Sequence, residues 1–292
     1  MMLRASRSPN AFRAARCCLG SVSGSANAFR AARRCLGIVP GSANAFRASL
    51  AARPVSLQFA LIPSAVVTQV MAAAGADAIC IDLEHGPIDY KDVQAMVGSM
   101  RGSGAAPVVR VPSIEPLSVK RALDLGAEGI VFPLAADAAD VERAVRTLHY
   151  PPRGDRGFGP FVASAAKGFE FTEATAHYGA NPPLCVVLIE TAEAVENIDE
   201  ILDVDGVDCF QLAQFDLSTA LGVSGQFDHP TFLAAEKRVE EAAFSRGVAL
   251  GAVALTEDRA EVLKARGYRL TVGFDVHWLK SSVAAAQAWV AP

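Results

Sequence analysis

The sequence predicts an α/β fold of the TIM-type (β/α)8 barrel class, and three observations predict it. Eight strand-like runs alternate with eight helix-compatible stretches along the chain. A length of 292 residues suits one such barrel with a leader. No GxGxxG follows the first strand, where an open doubly wound sheet often carries it. Composition agrees: 51% of residues are hydrophobic but only 7% aromatic, so the core must be built from Ala, Val, Leu and Ile, as parallel strands covered by helices require.

In chain order, the apolar strand-length runs fall at 56–62, 77–83, 106–111, 129–133, 184–190, 207–213, 248–254 and 268–273. The helical stretches run from Ser64 to Ala74, Asp89 to Arg101, Pro116 to Leu125 and Asp137 to Leu148 in the first half. They continue from Thr191 to Leu202, Thr231 to Arg246, Thr256 to Ala265 and Asp275 to Trp289. The segment from Tyr150 to Pro183, rich in Gly and Pro, reads as a loop over the barrel mouth after strand four.

The N-terminal segment is distinct from this body. Nine arginines and no lysine precede the first acidic residue, Asp77. Asn10-Ala11-Phe12-Arg13-Ala14-Ala15-Arg16 returns from Asn27 and, shortened, from Asn44 to Ala48, each copy too short to stack as a repeat protein. The expected division is a repetitive Arg-rich leader over 1–43, poorly ordered, and the barrel over 44–292. The leader reads either as an organellar (mitochondrial) transit peptide or as a locally duplicated extension with no targeting role; in the second case the protein is cytoplasmic.

Charge and hydropathy exclude several partners. A net charge of -4 gives no basic footprint for nucleic acid, and no apolar run approaches the roughly 20 residues of a membrane span. The six cysteines, Cys17, Cys18, Cys35, Cys80, Cys185 and Cys209, make no CxxC spacing and read as buried thiols in a reducing compartment.

In barrels of this class the chemistry sits at the C-terminal ends of the strands. Strand two ends in Glu84-His85, strand three in Arg110 and strand five in Glu190, while strand six runs into Asp216. Each also has a structural reading. Glu190 suits the first turn of a helix, Asp216 an N-cap, Arg110 an ion pair, and His85 a satisfied strand-end histidine. Together they point to one mouth. Two convergent carboxylates form a hard oxygen site suited to Mg²⁺, Mn²⁺ or Co²⁺. The other histidines, His149, His177, His229 and His277, form no HxH or HExxH pattern. The six lysines, Lys91, Lys120, Lys167, Lys237, Lys264 and Lys280, fall on predicted helices or the long loop, which disfavours Schiff-base chemistry.

Several stretches carry a specific likeness: Ile81-Asp82-Leu83-Glu84-His85-Gly86, Pro107-Val108-Val109-Arg110, Lys120 to Ala127, Tyr150-Pro151-Pro152 with Arg156-Gly157-Phe158-Gly159, Ile189-Glu190-Thr191, Gly206-Val207-Asp208, Phe215-Asp216-Leu217-Ser218 and Val272-Gly273-Phe274-Asp275. In this order the body resembles the HpcH/HpaI aldolase family, which includes hydroxy-oxo-heptanedioate aldolase and macrophomate synthase. The resemblance implies a metal-dependent (class II) aldolase that joins or cleaves a pyruvate-type 2-oxo acid and an aldehyde. It implies Glu190 and Asp216 as metal ligands, Arg110 as the group holding the oxo acid and its enolate, His85 as base, and Asp124 as the acid pairing with that histidine. A homo-oligomer, hexameric with the last helix exchanged between subunits, is implied too.

The chain departs from the family at two places. Leu188 stands where members commonly have Gln, and Ala213-Gln214-Phe215 replaces Gly-Pro followed by Ala or Phe. Those positions approach the oxo-acid carboxylate, so Leu188, Gln214 and Phe215 are candidate substrate-binding positions, with the Gln214 amide expected to face the site as a replacement donor. Two alternatives stay open: a related acyl-CoA lyase, and a barrel that binds metal or oxo acid without turnover.

Overall fold

The computed structural model describes residues 42–290. The first two copies of the repeat, and Cys17, Cys18 and Cys35, lie outside the described residues. After helix α1 (Ser42–Ala52), the strands β1 (Val55–Ala60), β2 (Ala78–Asp82), β3 (Ala106–Arg110), β4 (Gly129–Phe132), β5 (Leu184–Ile189), β6 (Cys209–Leu212), β7 (Leu250–Val253) and β8 (Leu270–Phe274) close in sequential order into the expected barrel. All neighbours pair in parallel, β8 returning to β1.

The covering helices of the first half are α2 (Ala65–Ala73), α3 (Tyr90–Ser99), α4 (Pro116–Asp124) and α5 (Ala138–Leu148). Their starts are written into the sequence. Ser64, Asp89 and Asp137 accept hydrogen bonds from backbone N–H groups of the first turn, which would otherwise lack partners, and Pro116 occupies a position where no N–H is needed.

Strand side chains separate by alternation into two bodies of core. Ile79, Ile81, Val109, Phe132, Val187 and Phe210 point outward and are buried against the helices. Leu57, Phe59, Cys80, Val108, Val186 and Leu188 fill the interior. Both strand faces are apolar, which is why the runs read as continuous rather than alternating.

Helix α1 joins the interior cluster through Ala43, Phe46 and Leu50. Its polar contacts all reach residues just before strands. The Ala43 N–H donates to Glu128 at 2.9 Å, Arg47 forks onto Asp208 and the Pro182 and Pro183 carbonyls, and Arg269 donates to the Leu50 carbonyl. The helix therefore closes the N-terminal end of the barrel, and the third, shortened repeat from Asn44 to Ala48 is part of that floor.

The segment 150–183 is placed differently from expectation. It follows α5 rather than β4, so it lies toward the barrel's N-terminal end, and it folds into α6 (Phe161–Lys167), a 3₁₀ turn (Phe171–Glu173) and α7 (Ala174–Ala180). Lys167 pairs with Glu128 at 2.7 Å and the Asn44 amide donates to Asn181, both at that floor. Gly and Pro content signalled turns, but here they punctuate short helices. The stretch from Thr191 to Leu202 likewise breaks at Asn197 into α8 (Ala192–Glu196) and α9 (Ile198–Leu202). The remaining helices are α10 (Gln214–Ala220), α11 (Pro230–Ser245), α12 (Glu257–Arg266) and α13 (Asp275–Gln287). No described helix is long and apolar enough to cross a membrane.

Candidate active site

The C-terminal end of β2 carries an aspartate that completes the cluster. Asp82 is the last residue of the strand and fully buried. Its register partner on β3 is Arg110, and the two meet as a fork: Nε donates to Oδ1 at 2.8 Å and NH2 to Oδ2 at 2.6 Å. Asp82 Oδ1 also accepts the backbone N–H groups of Glu84 and His85, folding the turn after β2 over the arginine. Burial works against the guanidinium charge, yet the bonds to Asp82 outweigh it and raise the arginine pKa.

Arg110 also lies 4.8 Å over the Phe59 ring. Its remaining nitrogen, NH1, stands 3.1 Å from Glu84 Oε2, at ion-pair distance. That carboxylate oxygen nevertheless makes no aligned hydrogen bond and is buried. NH1 is thus the donor of the fork not bound to Asp82. His85 projects outward, its side chain 60% exposed, with Nε2 3.9 Å from Glu84.

Across the mouth, Glu190 follows β5 directly and is 5% exposed. Burial, reinforced by the negative charges of Asp216 and Glu84, pushes its carboxyl pKa from 4.5 to about 7, against the pull of one backbone N–H and of Arg110. Burial also raises the pKa of Glu84, with Arg110 opposing. Glu84, Glu190, Asp216 and Arg110 thus share one electrostatic site at the C-terminal mouth.

The N–H acting on Glu190 belongs to Leu134, which donates to Oε1 at 2.5 Å. Leu134 is the one described non-glycine residue with positive φ, 58°, and its side chain stays exposed. A left-handed leucine is uncommon and its side chain gains little burial here; in this conformation its amide meets the Glu190 carboxylate. Asp216 lies in the first turn of α10, after an N-cap residue, Ala213, that makes no side-chain cap bond. The N-cap reading of Asp216 is thereby replaced by a first-turn position.

Three expected residues are placed elsewhere than the mouth. Asp124 ends α4, a helix that leaves the mouth and runs back toward the floor, and its carboxylate accepts from Arg156 at 2.9 Å. His85 and Asp124 do not meet among the described residues. The Gln214 amide faces the barrel wall: Nε2 donates to the Val253 carbonyl at 3.1 Å and Oε1 accepts the Val253 N–H at 3.0 Å. With both ends satisfied by β7, it is no free donor to a ligand, which corrects its expected orientation. Leu188 is fully buried inside the barrel. Phe215 remains half exposed, edge-on to Phe227.

The motif Ile81 to Gly86 contained Asp82, and its signal was a charge inside an otherwise apolar strand. Leu134 had no sequence signal, since it acts through its backbone.

Similarity to known proteins was found throughout this region. The sequence profile described as HpcH/HpaI aldolase/citrate lyase matches residues 56–282. The 5-keto-4-deoxy-D-glucarate aldolase of Shigella boydii is 32% identical over 237 residues, 80% of this chain and 91% of that protein. The hydroxypyruvate/pyruvate aldolase of Roseovarius nubinhibens is 34% identical over 213 residues, 72% of this chain and 81% of that protein. Among solved structures, an HpcH/HpaI aldolase/citrate lyase family protein from Burkholderia cenocepacia superposes with a TM-score of 0.79 at 34% identity, covering 85% of this chain and 99% of that one.

Proposed function

Because the chain belongs to the HpcH/HpaI aldolase/citrate lyase family, we propose that it is a divalent-metal-dependent aldolase acting between a pyruvate-type 2-oxo acid and an aldehyde. The observation that carries the proposal is the coupling of Glu190, Asp216 and Glu84 at the mouth, with Glu190 held far above its ordinary pKa. Acidic groups that raise one another's proton affinity favour a hard cation nearby, which would relieve their repulsion. Among the described residues no three His, Cys, Asp or Glu side chains converge as a complete ligand set. The pair proposed to hold the ion is the one the family resemblance implies, Glu190 and Asp216, with water and substrate filling its other positions. Mg²⁺, Mn²⁺ and Co²⁺ all suit this chemistry.

When bound, the cation supplies Lewis-acid polarisation of the oxo-acid ketone. The chain's own residues do the rest. In cleavage of a 4-hydroxy-2-oxo acid, a base takes the C4 hydroxyl proton, the C3–C4 bond breaks, and its electron pair moves into the C2–C3 enolate as the aldehyde leaves. Protonation at C3 then gives pyruvate or its analogue. Arg110, fixed by Asp82 and with its other terminal nitrogen at ion-pair distance from Glu84, brings a preorganised positive charge to the mouth where negative charge develops. His85, exposed at the mouth beside Glu84, is the proposed base. Asp124 is bound to Arg156 within the chain, so the orientation of His85 is assigned here to Glu84. Phe215 at the rim and the backbone opening α10 at Gln214 remain proposed substrate contacts, whereas the Leu188 backbone lies within the ladder of β5.

The exposed apolar residues of α13, Val276, Leu279 and Val283, suit burial against a second copy and support the proposed homo-oligomer. Release of pyruvate from a panel of 4-hydroxy-2-oxo acids, with and without EDTA, tests the function. Activity lost in EDTA and restored by Mn²⁺ is expected. Mn²⁺ binding without pyruvate binding or cleavage would instead identify a non-catalytic barrel.

A further inference from the structure

Glu190 is a buried carboxylate with little to hold it in place. Among the described residues, the one hydrogen bond it receives comes from the backbone N–H of Leu134, on Oε1. Arg110 acts on it through charge, and the charges of Asp216 and Glu84 oppose its own. The orientation of the carboxylate therefore depends on where the peptide between Pro133 and Leu134 lies.

That peptide is held by its own loop. β4 ends at Phe132, and Pro133, which has no N–H, cannot extend the ladder. The chain then turns through Leu134 at a φ of 58°, a conformation leucine rarely adopts, while the side chain stays exposed. Both backbone groups of Ala136 are tied: its N–H donates to Asp140 at 2.9 Å and its carbonyl accepts from the Asn197 amide at 3.0 Å. Asn197 stands at the break between α8 and α9, on the segment that follows Glu190. The loop that carries the Leu134 amide is thus fastened to the segment that carries the carboxylate, and the left-handed turn joins two fixed points. A strained residue persists where the contacts around it over-determine its conformation, and such residues cluster at working sites.

We propose that Leu134 is a positioning residue for the cation site, its left-handed backbone presenting the N–H that holds the Glu190 carboxylate in place to receive a divalent ion. The inference rests on the metal reading above and adds to it a part played by backbone alone. In this role the leucine side chain is dispensable, whereas the N–H and the positive φ are not. That is why an exposed leucine keeps a conformation from which its side chain gains nothing.

The test is calorimetric titration of Mn²⁺ into substrate-free protein, with thermal melting of each metal-free form. The forms compared are the wild type, Leu134→Gly, Leu134→Val, and a full chain in which the α-hydroxy analogue of leucine at 134 replaces the N–H with an ester oxygen. A carboxylate no longer held must be ordered by the ion itself, which for one side chain predicts roughly 2- to 12-fold weaker Mn²⁺ binding in the ester form. Its melting temperature should fall by no more than about 5 °C. Glycine takes a positive φ freely and keeps the N–H, so Leu134→Gly should bind Mn²⁺ as the wild type does. Valine, branched at Cβ, is disfavoured at that φ and should weaken Mn²⁺ binding as the ester does. The ester and glycine forms decide the matter even where the valine chain does not fold. Wild-type Mn²⁺ affinity in the ester form overturns the inference and leaves the metal reading standing. A Leu134→Gly chain that binds as weakly as the ester form assigns the effect to the side chain and overturns it too. A much larger fall in melting temperature in the ester form gives the N–H a structural role and contradicts the positioning role. A wild type that binds no Mn²⁺ removes the metal reading itself, and this inference with it.

Discussion

Glu190 is held with its proton more firmly in the folded chain than in the unfolded one, since burial and its acidic neighbours push the carboxyl from 4.5 to about 7. The sign follows from linkage: the stability this gives the metal-free protein is fully present below pH 4.5 and is lost as pH rises through about 7. Glu190→Gln should therefore raise the metal-free melting temperature at pH 8 and barely alter it at pH 4.5. An equal effect at both would contradict the burial argument. A cation must also displace that proton, so wild-type Mn²⁺ affinity should fall by roughly tenfold per pH unit below the Glu190 pKa and level off above it. The amide of Gln214 makes a different prediction. Gln214→Ala strips Val253 of two buried partners, so it should cost about 1–3 kcal/mol of stability while pyruvate affinity changes little; the reverse pattern would return Gln214 to the site. Individual residues were legible in the sequence where their chemistry was local. Glu190 and Asp216 sit beside strand ends that could be counted, and the electrostatics place both at the mouth. The pairing of His85 with Asp124 and the reach of Gln214 required knowing which end of a helix or which strand a side chain meets, and spacing along the chain does not carry that information.

At the scale of elements, the strands were readable because both faces of each are buried and the apolar runs are therefore continuous. Helix α1 was not. Its Ala-rich, Arg-bearing repeat looks like the copies upstream, and only the docking of Phe46 and Leu50 into the barrel end distinguishes it. The segment 150–183 failed for a related reason. Glycines and prolines mark breaks but do not say whether a strand or a helix precedes them, and here α5 does. The floor helix predicts a sharp boundary. A chain beginning at Ser42 should keep its melting temperature, whereas one beginning at Arg53 should lose several kcal/mol, about 1.5–3 for each large apolar side chain removed, together with the Arg47–Asp208 pair. Equal stability of the two chains in denaturant melts would show that α1 contributes nothing to the barrel.

For the molecule as a whole, the barrel sorts its work by end. The N-terminal end is closed by α1 and by α6 and α7, tied through Glu128, Asn181 and Asp208. The C-terminal end gathers Asp82, Arg110 and Glu190 from three different strand ends, which are close only because the sheet closes in sequence order. The proposed work of this mouth is to stabilise the enolate of a 2-oxo acid with the help of a cation on Glu190 and Asp216. Enolisation does not depend on which aldehyde the enzyme uses, so hydrogen–deuterium exchange at the C3 methyl of pyruvate in D₂O, followed by proton NMR with Mg²⁺, reads that step by itself. The wild type should exchange the methyl protons well above the rate of Mg²⁺ and buffer alone, and EDTA, Glu190→Gln or Asp216→Asn should each abolish the excess. Exchange that persists in EDTA, or a wild type that matches buffer, would contradict it.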